Sequence, residues 1–317
     1  MRRISGIAFA AALAACGSNK ENMKAETQVT PATGPAEKME VKPPAVEVVK
    51  VGPKGGATPA ARTAAIAPTP PPPMLAQESK PVVAVAAMPV AVSAEVQAMV
   101  SASDRTDADR ALDAGRKPGE TLMFFELKPG MRVAEIGAGR GYTTELIARA
   151  VGPTGTVYAQ NPPAFLASFL KTAVPERMAR PINAKVIAAA RDFAAPLPDD
   201  AKNLDEVVSV AIYHDIVGMD VDRHAMNQAI FKALKPGGVY VVIDSSSRAG
   251  AGISEVKTLH RIDEAFVRSE LEAAGFKFES AGAFLRNPLD ARDWDSSPAA
   301  AGVKRGTSDR FALRFIK

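Results

Sequence analysis

The chain has 317 residues, 47% of them hydrophobic, with 39 basic side chains against 35 acidic ones. That length admits one large domain or two small ones. The charges are scattered and form no basic stripe interleaved with aromatics, so no nucleic-acid partner is expected. A single cysteine excludes an intramolecular disulfide and a cysteine-based metal cluster.

The start of the chain reads as an address. Met1-Arg2-Arg3 is a short positive region, and Ile4 to Ala12 is an apolar run too short to span a bilayer. Leu13-Ala14-Ala15-Cys16 then resembles the lipobox of bacterial lipoproteins. The resemblance implies a signal peptide over residues 1–15 and lipid on Cys16. It also implies a membrane partner through that lipid, and residence in the cell envelope with the domain on the periplasmic side. Several acyl chains anchor stably because each buried methylene contributes about 0.8 kcal/mol.

Residues 16–102 are rich in Ala, Pro, Val, Lys and Glu, and no Phe, Trp or Tyr occurs between Phe9 and Phe124. Proline blocks regular helix, and small apolar side chains bury too little area to offset chain entropy. This stretch is therefore expected to be a disordered tether, partly polyproline II. The folded domain is expected over residues 103–317.

Within that domain, Arg105 to Gly115 and Glu120 to Phe125 predict helices, and Met131 to Ile136 predicts a strand that runs straight into Gly137-Ala138-Gly139-Arg140-Gly141. Tyr142 to Val151 follows as helix and Thr156 to Ala159 as strand. Phe165 to Met178 predicts one helix; Ala184 to Ala189 and Leu204 to Ile212 predict strands. Asp222 to Leu234 predicts a helix ended by the turn Lys235-Pro236-Gly237-Gly238, with a buried strand over Val239 to Ile243. Asp263 to Ala274 predicts a helix, and Phe276 to Ser280 and Phe311 to Ile316 two final strands. Alternating strand and helix implies a mostly parallel sheet covered on both faces, with the late pair of strands as an antiparallel edge.

Glycines at 137, 139 and 141 between strand and helix let the backbone turn tightly against a ligand, and a helix N-terminus offers unpaired amides. A dinucleotide fingerprint needs glycine where Tyr142 stands, and no P-loop pattern occurs. Glu135-x-Gly137-x-Gly139-x-Gly141 instead resembles motif I of class I S-adenosylmethionine-dependent methyltransferases, and Leu234 to Gly238 resembles the turn those enzymes carry before their fifth strand. The resemblance implies a Rossmann-like seven-stranded α/β fold with S-adenosylmethionine as cofactor. Gly137, Ala138, Gly139 and Gly141 would face its methionine part, with Glu135 near its amino group. Gln160 and Asn161 would lie at its ribose, and Asp192-Phe193 at its adenine. Acidic residues usually stand where this chain has Gln160-Asn161; an amide bonds hydroxyls without the strength that charge adds. Segments such as Ala114 to Pro118, Leu259 to Glu264 and Ser308 to Phe311 are similar to a group of predicted, often exported bacterial methyltransferases. Its members carry Asp-His after the fifth strand, where this chain has Asp244-Ser245.

Open parallel sheets bind ligands at the carboxyl ends of their strands, which makes His214, Asp215, Asp244 and His260 the candidate catalytic residues. A base near the nucleophile assists methyl transfer, and histidine suits that role. For His260 the other reading is a structural network with Arg261 and Asp263. The same four side chains could chelate a divalent ion, though their spacing does not demand one, and no metal is expected. His224, at a helix start, is expected on the surface. Trp294 is read as core or lid, and Arg286, Asn287, Asp290 and Arg292 as a polar loop over the pocket. Two functions fit these residues: methyl transfer to a small-molecule or envelope-associated acceptor, or ligand or protein binding without catalysis on the same fold.

Overall fold

The computed structural model describes residues 91–317, so the expected signal peptide, Cys16 and nearly all of the expected tether lie outside the described residues. Seven strands form one sheet: β1 (Arg132–Ile136), β2 (Thr156–Asn161), β3 (Val186–Ala190), β4 (Leu204–Val210), β5 (Leu234–Ser245), β6 (Lys277–Gly282) and β7 (Arg310–Ile316). Their order is β3-β2-β1-β4-β5-β7-β6. The β1–β2, β1–β4, β2–β3 and β4–β5 pairs are parallel, and β7 runs antiparallel to both its neighbours. The expected α/β sheet is therefore present, and the antiparallel strand sits one place in from the edge, between β5 and β6.

Strand periodicity of two sorts the core into two layers. Ala134, Val207, Tyr240 and Phe315 face one side, where they meet helices α7 (Tyr213–Gly218), α8 (Arg223–Ala233) and α10 (Glu264–Ala273). Their chain neighbours Val133, Val208 and Val241 face the other side, against α3 (Pro118–Phe125) and α4 (Tyr142–Val151). Helices α1 (Ala94–Val100), α2 (Asp107–Arg116), α5 (Pro163–Ala167), α6 (Ala173–Met178) and α9 (Val256–Leu259) complete the set. None of the described helices is long and apolar enough to cross a membrane.

Three boundaries depart from expectation for local reasons. Helix α1 falls inside residues 16–102, because Val96, Met99 and Val100 recur at helical spacing and pack on the α3–α4 layer; the Ser93 side chain caps it. The single helix expected from Phe165 to Met178 is two, since proline is tolerated only in a first turn and Pro175 restarts the helix there. The turn before the fifth strand is absorbed into β5 as an irregularity, where pairing jumps from Leu204–Leu234 to Glu206–Val239.

The strand order reverses between β1 and β4, and their carboxyl ends flank a crevice. The loop after β1 and helix α7 after β4 both open there.

Candidate functional site

The loop after β1 needs glycine at two positions for sterics and at a third for access. Gly137 has φ +68°, and a Cβ there would stand 2.3 Å from Ile212 Cγ1. Gly141, at φ +78°, would bring a Cβ to 2.9 Å from Arg177 Cγ. A Cβ on Gly139 would meet nothing nearer than the Gly137 carbonyl at 4.0 Å, because that residue faces open cavity.

Gln160 and Asn161 hold this loop from below. Gly137 N–H donates to Gln160 Oε1 and Gly139 N–H to Asn161 Oδ1, each at 2.8 Å. The amide nitrogens donate in turn, Gln160 to the Arg191 carbonyl at 2.6 Å and Asn161 to the Gly139 carbonyl at 3.2 Å. Two expectations are corrected here. The polar groups of both side chains serve the loop, Gln160 is fully buried outside the cavity lining, and only Asn161 reaches that lining. The loop amides are not free donors either, since Ala138 N–H and Gly141 N–H bond the carbonyls of Gln160 and Ala138.

Glu135 ends β1 as a buried carboxylate on the cavity wall, accepting a hydrogen bond from the Thr144 hydroxyl. No basic side chain among the described residues pairs with it. Burial pushes its carboxyl up to about 7, against the opposing help of the Thr144 and Thr143 hydrogen bonds and the Arg116 charge.

His214, on α7, joins three of the four candidate catalytic residues. Its Nδ1 lies 2.7 Å from Asp244 Oδ1, its backbone N–H donates to Asp244 Oδ2 at 2.9 Å, and its Nε2 lies 3.3 Å from Asp215 Oδ1. Burial alone would lower the imidazole pKa. The Asp244 charge and the hydrogen bonds to Asp215 and Asp244 outweigh it and raise the ring to about 10. His214 is thus a cation between two carboxylates at neutral pH, which corrects its reading as the proton acceptor. Asp244 is fully enclosed, whereas the Asp215 side chain is 41% exposed and lines the cavity. His260 stacks edge-on with His214 at 5.8 Å between ring centres and also lines the cavity. Its Nδ1 is 2.9 Å from Asp295 Oδ1 but out of line for a hydrogen bond.

The network expected among His260, Arg261 and Asp263 does not form. Fully buried Arg261 pairs with Asp290 at 2.8 Å beneath the Trp294 ring, and Asp263 caps α10. Arg286 and Arg292 pair with Asp309, and Asn287 N–H donates to it at 2.7 Å. These polar residues anchor the loop between β6 and β7, and its other members Ser296, Ser297 and residues 305–308 form the cavity wall. His224 is exposed, as expected.

Asp192 and Phe193 fall outside the cavity lining, which corrects their assignment to the cofactor. Asp192 is exposed on the loop after β3, and Phe193 is buried edge-on against Phe165 at 6.0 Å. Phe165 and Phe169 provide the aromatic wall instead. Sequence reading also passed over Arg116 and Arg310 as site residues, and both line the cavity. The signal for Arg116 was its place before Lys117-Pro118: Lys117 turns left-handed at φ 46° and Pro118 opens α3, so the chain reverses at the crevice.

The cavity measures about 1570 Å³. A pocket for one drug-sized ligand is typically about 300–1,000 Å³, so this cavity is larger than one such ligand needs.

A seven-stranded sheet in this order, with one antiparallel strand beside the edge and a glycine loop after its first strand, is the class I methyltransferase fold. The family model described as Protein-L-isoaspartate(D-aspartate) O-methyltransferase matches residues 95–168, from α1 through the glycine loop to α5. Among solved structures, a SAM dependent methyltransferase from Aquifex aeolicus is 18% identical, with 67% of this chain and 99% of that one covered and a TM-score of 0.45. The [4+2]-cyclase SpnF is 17% identical, over 66% of this chain and 80% of that one, with a TM-score of 0.45. The glycopeptide N-methyltransferase MtfA complexed with sinefungin is 16% identical, over 64% and 85%, with a TM-score of 0.43. A shared fold does not assign a reaction, so the site itself must carry the functional argument.

Proposed function

We propose that this protein is an S-adenosylmethionine-dependent methyltransferase acting on a small-molecule or envelope-associated acceptor. The observation that carries the reading is the pairing of an open Gly139 with a buried Glu135 that forms no ion pair among the described residues, both lining one large cavity. An ammonium group beside Glu135 would supply the positive charge that burial withholds from it. The partial match to the isoaspartate O-methyltransferase family over the same segment supports this assignment.

When bound, with Glu135 and Gly137 to Gly141 holding it, the cofactor would supply a methyl group on a positively charged sulfur for transfer to the acceptor's nucleophile. The chain's own part is binding and charge. Gly137 to Gly141 let the backbone approach the ligand, with Gln160 and Asn161 fixing the loop's curvature. The Asp215 and Asp244 carboxyls flanking His214 favour a cationic centre nearby. Asp215, exposed to the cavity and held by His214 Nε2, takes the proton that the acceptor's attacking atom releases and passes it to water.

We also propose that Cys16 carries lipid that holds the domain at a membrane in the cell envelope, supported by the residue pattern ending Leu13-Ala14-Ala15-Cys16. Two experiments test these readings. Methyl-labelled S-adenosylmethionine incubated with the full chain and an envelope fraction should label an acceptor, and a Gly139→Arg chain should not; equal labelling by both removes the proposed site. Palmitate should label the wild type and not Cys16→Ser, and an unlabelled wild type ends the anchor proposal.

A further inference from the structure

Six arginines line the cavity: Arg116, Arg140, Arg177, Arg180, Arg305 and Arg310. Arg177 and Arg180 stand in ion pairs with Asp109 and Glu145, and exposed Arg140 rides on the glycine loop. Arg116, Arg305 and Arg310 form no ion pair with a carboxylate among the described residues; Arg305 is exposed, while Arg116 and Arg310 are half-buried, where an unpaired guanidinium is costly.

These three converge at one place. A Cβ on Gly115 would stand 2.7 Å from Gly306 Cα, so the neighbours Arg116 and Arg305 flank a backbone-to-backbone contact. Arg310 donates to the Gly115 carbonyl, while its Nε is buried with no hydrogen-bond partner among the described residues. Arg116 lies over the Tyr142 ring, 4.4 Å from its centre. Burial lowers the pKa of Arg116 and Arg310, the latter to about 10, and the charge of a neighbouring arginine adds to this, while Glu135 and Asp109 at Arg116 and Asp244 and Asp309 at Arg310 oppose it.

The Arg310 end of this cluster lies toward the acceptor half of the cavity, while Arg116 reaches over Tyr142, next to the glycine loop, and feels the Glu135 charge. Arg310 opens β7 in register with Ser245 at the carboxyl end of β5. Strand β7 stands three places from β1 in the sheet, roughly 14 Å from the glycine loop at about 4.8 Å per strand. His214 and Ser245 lie between.

We propose that this wall is an oxyanion-binding subsite, and that the methyl acceptor carries a carboxylate or phosphate group that Arg116, Arg305 and Arg310 hold while its nucleophile faces the cofactor. The inference rests on the methyl-transfer reading above. Planar guanidiniums bind both groups through paired hydrogen bonds, and the carboxylates whose charge reaches Arg116 and Arg310 form no ion pair with them among the described residues.

The test is titration of the full chain, saturated with S-adenosylhomocysteine, with inorganic phosphate and separately with succinate, followed by calorimetry. Binding of at least one anion is expected, and which one binds tells phosphate from carboxylate. Arg116→Gln and Arg310→Gln should each weaken it about tenfold or more. Arg305→Gln, at an exposed position that leaves the core intact, should weaken it several-fold. No binding of either anion, or unchanged binding in all three variants, overturns the proposal. So does an anion that S-adenosylhomocysteine displaces, since the site would then hold the cofactor's own carboxylate. Should S-adenosylhomocysteine fail to bind while arginine-dependent anion binding persists, the methyl-transfer reading falls and the subsite stands.

Discussion

Neutralising Glu135 by Glu135→Gln should separate the stability of this protein from its function. Burial raises the Glu135 carboxyl from 4.5 to about 7, so near neutral pH it is poised between two states. In the free protein the raised value favours the protonated form. The group's stabilisation is therefore full below its unfolded value near 4.5 and is lost as pH rises through 7. At about pH 8 the ionised, unpaired carboxylate costs on the order of 3 kcal/mol, so Glu135→Gln should melt higher than wild type there and equally at about pH 4. A ligand ammonium reverses the balance by favouring the charged form. If it returns the carboxyl to its ordinary range, wild-type affinity for S-adenosylhomocysteine should fall on the order of 10²-fold between about pH 8 and pH 5. Binding near neutrality should release about half a proton. Calorimetric titration in buffers of different ionisation enthalpy reads both quantities. Glu135→Gln should bind at least about tenfold more weakly at pH 8 and lose the pH slope. A flat wild-type profile, or a variant that keeps the slope, refutes the assignment of Glu135 to the ligand's amino group.

Three further outcomes follow from named contacts. Gly137→Ala, strained at φ +68° and crowded by Ile212, should lose about 1–3 kcal/mol in urea unfolding, whereas Gly139→Arg, strained at φ +55° but uncrowded, should lose about 1–2 kcal/mol and lose cofactor binding while staying folded. His214 has a folded pKa of about 10 against an ordinary 6.5, so its stabilisation is full below about 6.5 and is lost as pH rises through 10. The urea-unfolding deficit of His214→Gln should shrink across that window. Asp290→Ala, which strands fully buried Arg261, should cost about 3–5 kcal/mol and make the loop between β6 and β7 susceptible to limited proteolysis.

Much of the sheet was legible because its strands carry strong local signals. Val133, Ala134 and Ile136 run into three glycines, and no other local pattern competes with strand–loop–helix there. The position of β7 was not legible, since its insertion between β5 and β6 depends on long-range pairing. Helix α1 was hidden by its setting: Val96, Met99 and Val100 follow a proline-rich stretch, and only their contact with the α3–α4 layer marks them as core. At the site, the sequence located the glycine loop, Glu135 and the His214–Asp215–Asp244 group. It could not tell which polar atoms face inward. Gln160 and Asn161 stand where ribose contacts are expected, yet their amide oxygens are taken up by the loop's own N–H groups. Arg116 and Arg310 are 194 positions apart, and only the β7 register and the Gly115–Gly306 contact unite them.

The central claim is that the cavity beside Gly139 takes S-adenosylmethionine. Equilibrium titration of the full chain with S-adenosylmethionine and S-adenosylhomocysteine tests it most directly. The account predicts binding of both in the micromolar range, abolished by Gly139→Arg without loss of fold. A folded wild-type chain that binds neither would contradict it.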